Sequence, residues 1–127
     1  MTAKCKSVLF LFCAFTLVAF WSTQSIAQDA VQVDPKHHKV EFENDHVRVL
    51  RIVFAPGEIS QMHQHPCVIA VGITNSDLIF HLPDGSSRLT KLKSGQVVTA
   101  KPTTHNPENK SGGTSEVILV ELKDGGC

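Results

Sequence analysis

Three observations in the sequence predict an all-β fold, an antiparallel sandwich or barrel. From residue 47 onward the chain breaks into short runs rich in β-branched and apolar residues. Each gap between runs carries turn chemistry, and no useful window shows an apolar period of 3.6 residues. The third is length, since 127 residues suffice for one domain and hardly two.

In chain order, the opening segment is read as an export signal and not as fold. Lys4 and Lys6 precede an uncharged apolar run over residues 8–21, and Ser25-Ile26-Ala27 supplies small residues at the −3 and −1 positions of a cleavage site. The run is shorter than the ~20 apolar residues a membrane-spanning helix needs. Phe12 before Cys13 does not suit a lipoprotein site. Residues 1–27 are therefore expected to be removed, leaving a secreted or periplasmic domain over 28–127 with its core over about 40–123, and no membrane contact in the mature form.

Residues 28–33 read as a flexible lead-in, with the first strand over 47–54, closed by Ala55-Pro56-Gly57. Further strands are expected over 59–65, 68–74, 78–82, 88–92, 96–100 and 116–122. The turns between them include Asn75-Ser76-Asp77, Pro83-Asp84-Gly85 and Lys93-Ser94-Gly95. Pro102-Thr103-Thr104-His105 reads as turn-rich chain.

Charge excludes one class of partner. Lys+Arg 12 balance Asp+Glu 12, and loss of Lys4 and Lys6 leaves 10 basic against 12 acidic side chains, so no nucleic-acid footprint is present. Cys67 and Cys127 would remain in the mature chain; one disulfide and two free thiols both fit the sequence.

Alternation along a strand puts His63 and His65 on one face, close enough for both to reach one ion. The frame around them sharpens the reading: Gly57 precedes His63-x-His65, and Gly95, Pro102, His105 and Asn109 follow. Here the sequence resembles the cupin family, whose first motif is a Gly, five residues, His-x-His, three or four residues and a Glu, and whose second ends in a His, three residues and an Asn. The resemblance runs over about 47–123. The Ala55-Pro-Gly-Glu phrase, the Pro83-Asp-Gly hairpin and the closing run 117–123 look like small bacterial cupins, proteins assigned to β-alanine degradation among them.

The resemblance implies a cupin-type antiparallel double-stranded β-barrel, or jelly roll. It also implies a divalent metal on His63, His65 and His105, a small-molecule ligand, and a homodimer formed through edge strands. Two departures matter. The motif Glu would fall at Ile69 or Ala70, and the Pro-x-Gly that precedes the His of the second motif is broken, with Pro102 one place late and Thr104 in place of the Gly. Strand parity from His63 and His65 puts Ile69, rather than Ala70, on their face. A neutral three-His set suits Fe, Zn, Cu or Ni better than Mn or Mg.

Around that set the other candidates receive lesser roles. Gln61 is a weak oxygen ligand, Cys67 a small buried residue or soft ligand, and Asn109 a residue that orients His105. His37 and His38 are expected in solvent, His46 in a loop, and His81 as a satisfied core histidine. Glu58 is expected to face solvent. Arg48 and Arg51 lie on opposite faces of their strand, so at most one can face the interior and hold an anionic substrate, and surface charge is the expected role of both. Without any tyrosine, and without the motif Glu, tyrosine-assisted epimerases, thiol dioxygenases and oxalate-degrading cupins are disfavoured. What survives is a metal-binding domain with a small-molecule pocket. Its alternatives are a three-His iron dioxygenase acting on a chelated dicarbonyl and a non-catalytic structural barrel.

Overall fold

The structure is a computed structural model and describes residues 28–127; the export-signal reading of residues 1–27 lies outside them. Nine strands follow one short helix: α1 (Ala30–Val33), β1 (His38–Glu43), β2 (Val47–Phe54), β3 (His63–His65), β4 (Cys67–Gly72), β5 (Ser76–His81), β6 (Ser87–Leu92), β7 (Val97–Ala100), β8 (Thr103–Asn109) and β9 (Ser115–Leu122). They form a five-stranded sheet, β1-β2-β9-β4-β7, and a four-stranded sheet, β3-β8-β5-β6, with every strand pair antiparallel.

Alternation builds the interior. On β2, Leu50, Ile52 and Phe54 point inward and are nearly inaccessible, and on β9 Val117 and Leu119 meet them across the register Leu50↔Leu119 and Ile52↔Val117. Val68 and Leu92 complete the core. Each such side chain contributes about 1.5–3 kcal/mol on burial.

Several expectations are corrected here. The lead-in is not loose: Asp29 caps α1, accepting hydrogen bonds from the main-chain N–H of Val31 and Gln32, and Ala30 is fully buried. The first strand is β1, which the sequence hides because only His38 of its six residues is buried and a bulge breaks its register between Val40 and Phe42. Of the run 59–65, only His63–His65 is strand. The stretch around His105 is strand β8, paired with β3 and β5, and not turn. Proline is tolerated there because the Pro107 carbonyl accepts from the Ser60 N–H and no ladder donor is asked of its nitrogen.

Pro66 separates β3 from β4, and the chain changes sheets at that point. Parity counted through it therefore fails: Val68 and Ala70 line the interior, whereas Ile69 does not. The cysteine alternatives resolve in favour of a disulfide, Cys67–Cys127, with Cα atoms 5.4 Å apart. Cys67 is thus no thiolate ligand.

A candidate metal centre of buried histidines

β3 is an edge strand that carries His63 and His65 inward, and β8 sets His105 directly opposite His63. The ring centroids lie 4.7 Å apart for His63–His65, 5.0 Å for His63–His105 and 5.5 Å for His65–His105. The three sequence-predicted histidines are thus brought together. A fourth joins them. His38 pairs with Ile52 across β1 and β2, so it shares the inward face of Ile52, and its ring lies 4.6 Å from that of His63. It is 2% exposed, which corrects its placement in solvent. The candidate ligand atoms of His38, His63 and His65 all lie within 4.8 Å of one another.

Hydrogen bonds fix how three of these rings face the centre. His38 Nδ1 donates to the Asp34 carbonyl (3.1 Å) and His63 Nδ1 to the Gln61 carbonyl (2.7 Å), and a carbonyl can only accept. His65 Nδ1 donates to the carboxylate of Glu121 at 2.7 Å. Burial, followed in each case by neighbouring imidazoles, pushes the pKa of His38 and His63 down to about 4. For His105 burial, then the field of His63, His65 and Arg88, lowers it to about 3. His38 and His63 are therefore neutral at pH 7, protonated on Nδ1, with a free lone pair on Nε2. Both of those Nε2 atoms are buried without a partner among the described residues, as is Nδ1 of His105. The two unpaired, buried Nε2 acceptors of the neighbouring His38 and His63 rings fit a divalent ion.

Sequence reasoning missed Glu121. It is 2% exposed and joins His65 to Arg48, whose Nε donates to its second oxygen at 2.6 Å. Arg48 continues to Asp29 through Nη2. Burial alone would raise the Glu121 carboxyl, but the hydrogen bonds from His65 and Arg48 outweigh it and hold the pKa below the ordinary value. The signal was present: alternation over 115–122 puts Glu121 on the face of Val117 and Leu119, where an unpaired carboxylate is not tolerated. Arg48, on the inward parity of β2, is correspondingly half-buried and no surface charge, whereas Arg51 on the other face pairs with Glu41 and Glu116.

The remaining candidates take other places. Gln61 is exposed and contributes only its main-chain carbonyl. Asn109 is fully buried, but its amide donates to the carbonyls of Phe54, Ala55 and Gly113 and so pins two loops, with no hydrogen bond to His105. His37, 6% exposed, lies between Asp34 and Glu58 and is not in solvent. Glu58 stays partly exposed at the surface, accepting from Lys36, His37 and the Ala55 N–H. His46 is an exposed loop residue beside Asp124, and His81 is satisfied by Ser87 and Glu108.

Next to the histidines the barrel holds a cavity of about 630 Å³, within the range of small-molecule sites. Its walls are mostly apolar, Phe54, Leu78, Phe80 and Leu119 among them.

Two packed antiparallel sheets with a histidine cluster inside define a cupin double-stranded β-helix, and solved structures bear this out. A cupin domain from Bordetella pertussis Tohama I is 27% identical with a TM-score of 0.63, over 68% of this chain and 91% of that one. A protein with a double-stranded β-helix domain from Klebsiella pneumoniae is 25% identical with a TM-score of 0.54, over 70% of this chain and 78% of that one. An RmlC-like cupin family protein from Methanocaldococcus jannaschii, 22% identical, shares the fold with a TM-score of 0.52, over 68% of this chain and 81% of that one. No protein-family profile and no curated protein matches the sequence. The chain has the cupin fold, its structural neighbours support the cupin family, and its His38, His63 and His65 form a group that could bind a metal.

Proposed function

We propose that the mature chain is an exported metal-binding cupin. Its ion is held through His38, His63 and His65, with His105 closing the set, and the adjoining cavity takes a small molecule. The observation that carries this reading is the common tautomer of His38 and His63, whose Nδ1 protons are committed to carbonyls while their Nε2 atoms are buried and unpartnered. Glu121 holds the Nδ1 proton of His65 in the same sense. Outer hydrogen bonds of this kind fix ring orientation and raise ligand basicity.

All four side chains are imidazoles, so the set favours Fe, Zn, Cu or Ni. A divalent ion supplies Lewis acidity, lowering the pKa of an oxygen ligand and polarising it. The chain's own residues do the rest. The apolar wall offers a small molecule a surface to pack on, and Glu121, ionised and tied to Arg48, keeps the His65 tautomer from switching. No tyrosine exists to act as a proton donor, so a substrate would have to ionise on binding. An iron-dependent dioxygenase acting on a chelating dicarbonyl is the enzymatic form of this reading. The sequence phrase shared with β-alanine degradation proteins is a pointer to a reaction that names no residue of the site.

Export is supported by Lys4, Lys6 and the apolar run 8–21, together with the Cys67–Cys127 disulfide, a bond that persists in oxidising compartments. N-terminal sequencing of protein from the envelope fraction should begin at Gln28 or within two residues of it; a chain that starts at Met1 and stays in the cytoplasm overturns the export reading.

Metal analysis of protein from that fraction tests the centre. His38→Ala, His63→Ala and His65→Ala should each lower ion occupancy by at least an order of magnitude while the fold persists. His46→Ala, an exposed side chain outside both the cavity lining and the histidine group, should leave it unchanged. Equal occupancy in all four variants would remove the assignment.

A further inference from the structure

The cavity is more specific about charge than its apolar walls suggest. It opens between the free edges of the two sheets, with residues 88–92 on the β6 side and 98–103 on the β7 side. Three cations line it, Arg88, Lys91 and Lys101, and no Asp or Glu does. The described chain has more acidic than basic residues, so a carboxylate-free cavity wall with three cations is contrary to the overall balance.

Arg88 is the notable member. The other two arginines are committed, Arg48 to Asp29 and Glu121 and Arg51 to Glu41 and Glu116. Arg88 has no carboxylate partner among the described residues, and its guanidinium sits 5.6 Å from the centroid of the Phe80 ring. Phe80 in turn packs on His105, with centroids 4.3 Å apart. A cation–π seat holds the guanidinium plane at the wall and leaves its forked N–H donors available. Of the lysines, Lys91 is paired with Asp77 at 3.2 Å, whereas Lys101 has no ion pair among the described residues.

We propose that Arg88, seated on Phe80 and aided by Lys101, is an anion subsite that selects a small organic acid, an apolar body bearing one carboxylate, entering between β6 and β7. This deepens the reading of the cavity as a ligand pocket and rests on it. A carboxylate matches the guanidinium fork in a bidentate, charge-assisted pair, while the apolar body displaces water from Leu78, Phe80 and Leu119. A neutral molecule of the same shape gains only the second contribution.

Calorimetric titration with 2-naphthoate and with its uncharged counterpart 2-naphthalenemethanol separates the two contributions. The wild-type chain should bind naphthoate more tightly than the alcohol, and added salt should weaken naphthoate binding alone. Arg88→Met, which keeps an apolar stem over Phe80, should weaken naphthoate by about tenfold and leave the alcohol unchanged. Lys123→Met, a cation paired with Glu43 away from the cavity, should change neither. Equal affinities for the two probes, or equal losses of both in Arg88→Met, would overturn the subsite. So would naphthoate binding that ignores Arg88→Met and vanishes on chelation of metal. If neither probe binds, the ligand-pocket reading falls with the subsite, and ion content measured on the same sample still reports on the histidine centre.

Discussion

His65 and His105 face the same space with ring centroids 5.5 Å apart, and the chain prepares them in opposite ways. Behind His65 stands a relay: Glu121 accepts from Nδ1–H, Arg48 donates to the second carboxylate oxygen, and Asp29 accepts from the far end of Arg48. Behind His105 no described residue partners Nδ1, and the Phe80 ring packs at 4.3 Å. The first imidazole is fixed in one tautomer before any ion arrives. The second is oriented by packing, and either nitrogen can carry its proton. Preorganisation of this centre is therefore one-sided, and its ion affinity should depend more on the relay than on the apolar seat.

The strongest way to break that asymmetry is to remove its carboxylate. Glu121→Ala leaves Arg48 half-buried with Asp29 alone and His65 without its acceptor. Breaking a buried pair from one side costs about 3–5 kcal/mol, to be read from urea unfolding. Ion affinity should also fall by ~10–100-fold. Glu121→Gln, which keeps the shape and an acceptor oxygen, should lose less of both. Unchanged ion affinity in Glu121→Ala would mean that the relay serves the fold and not the centre.

Comparison of the two histidines directly comes next. His65→Ala should cost more ion affinity than His105→Ala, by about tenfold, in competition titrations with a chelator. The opposite order would make the packed side of the cluster the anchor.

Acidification sharpens the same contrast. His38 and His63, near 4, and His105, near 3, stay neutral in the fold well below the ordinary value of 6.5, chiefly because burial penalises their charge. Above pH 6.5 folded and unfolded chains bind equal numbers of protons at these sites. Below it the unfolded chain takes protons that the fold refuses, so stability falls as pH drops from 6.5 towards 4. Metal-free protein should show this loss in urea titrations across that window. His105→Gln, which removes the most depressed of the three, should flatten the slope. A profile already flat in the wild type would show that the cluster charges without unfolding.

How far these features were legible in the sequence depended on whether each strand kept its alternation. His63 and His65 share a regular strand, and the spacing alone paired them. β2 and β9 are equally plain as strands, and the alternation of β9 also sets Glu121 on the face of Val117 and Leu119, a placement that demands a buried partner. His38 gave no such signal, because β1 exposes all its other residues and bulges after Val40, so only its pairing with Ile52 turns it inward. β8 was hidden by Pro102 and Pro107, which read as turn residues until Ser60 is seen to use the Pro107 carbonyl. Arg88 carries no signal in the sequence beyond its place in a strand; the register Phe80↔Arg88 of β5 and β6 is what brings it over the ring.

The smallest expected effect concerns the carboxylate that the cupin pattern would place at residue 69 or 70. Counting parity from His65 favoured Ile69, but the change of sheet at Pro66 turns Ala70 into the cavity and Ile69 away from it. Ala70→Glu therefore adds an oxygen donor on the cavity side, which a four-imidazole set lacks, whereas Ile69→Glu adds a charge to the outer face. Carboxylate oxygens suit Mn(II) better than imidazoles do, so Ala70→Glu should tighten Mn(II) binding several-fold relative to Zn(II), and Ile69→Glu should not. The new carboxylate would also sit in a cavity lined by Arg88 and Lys101, so part of any gain could go to a pair with Arg88 instead. The double variant Ala70→Glu with Arg88→Met separates the two, since removal of the cation should raise the Mn(II) gain if the carboxylate is shared. Equal Mn(II) affinity for wild type, Ala70→Glu and the double variant would show that residue 70, although inside the barrel, does not reach the histidine centre.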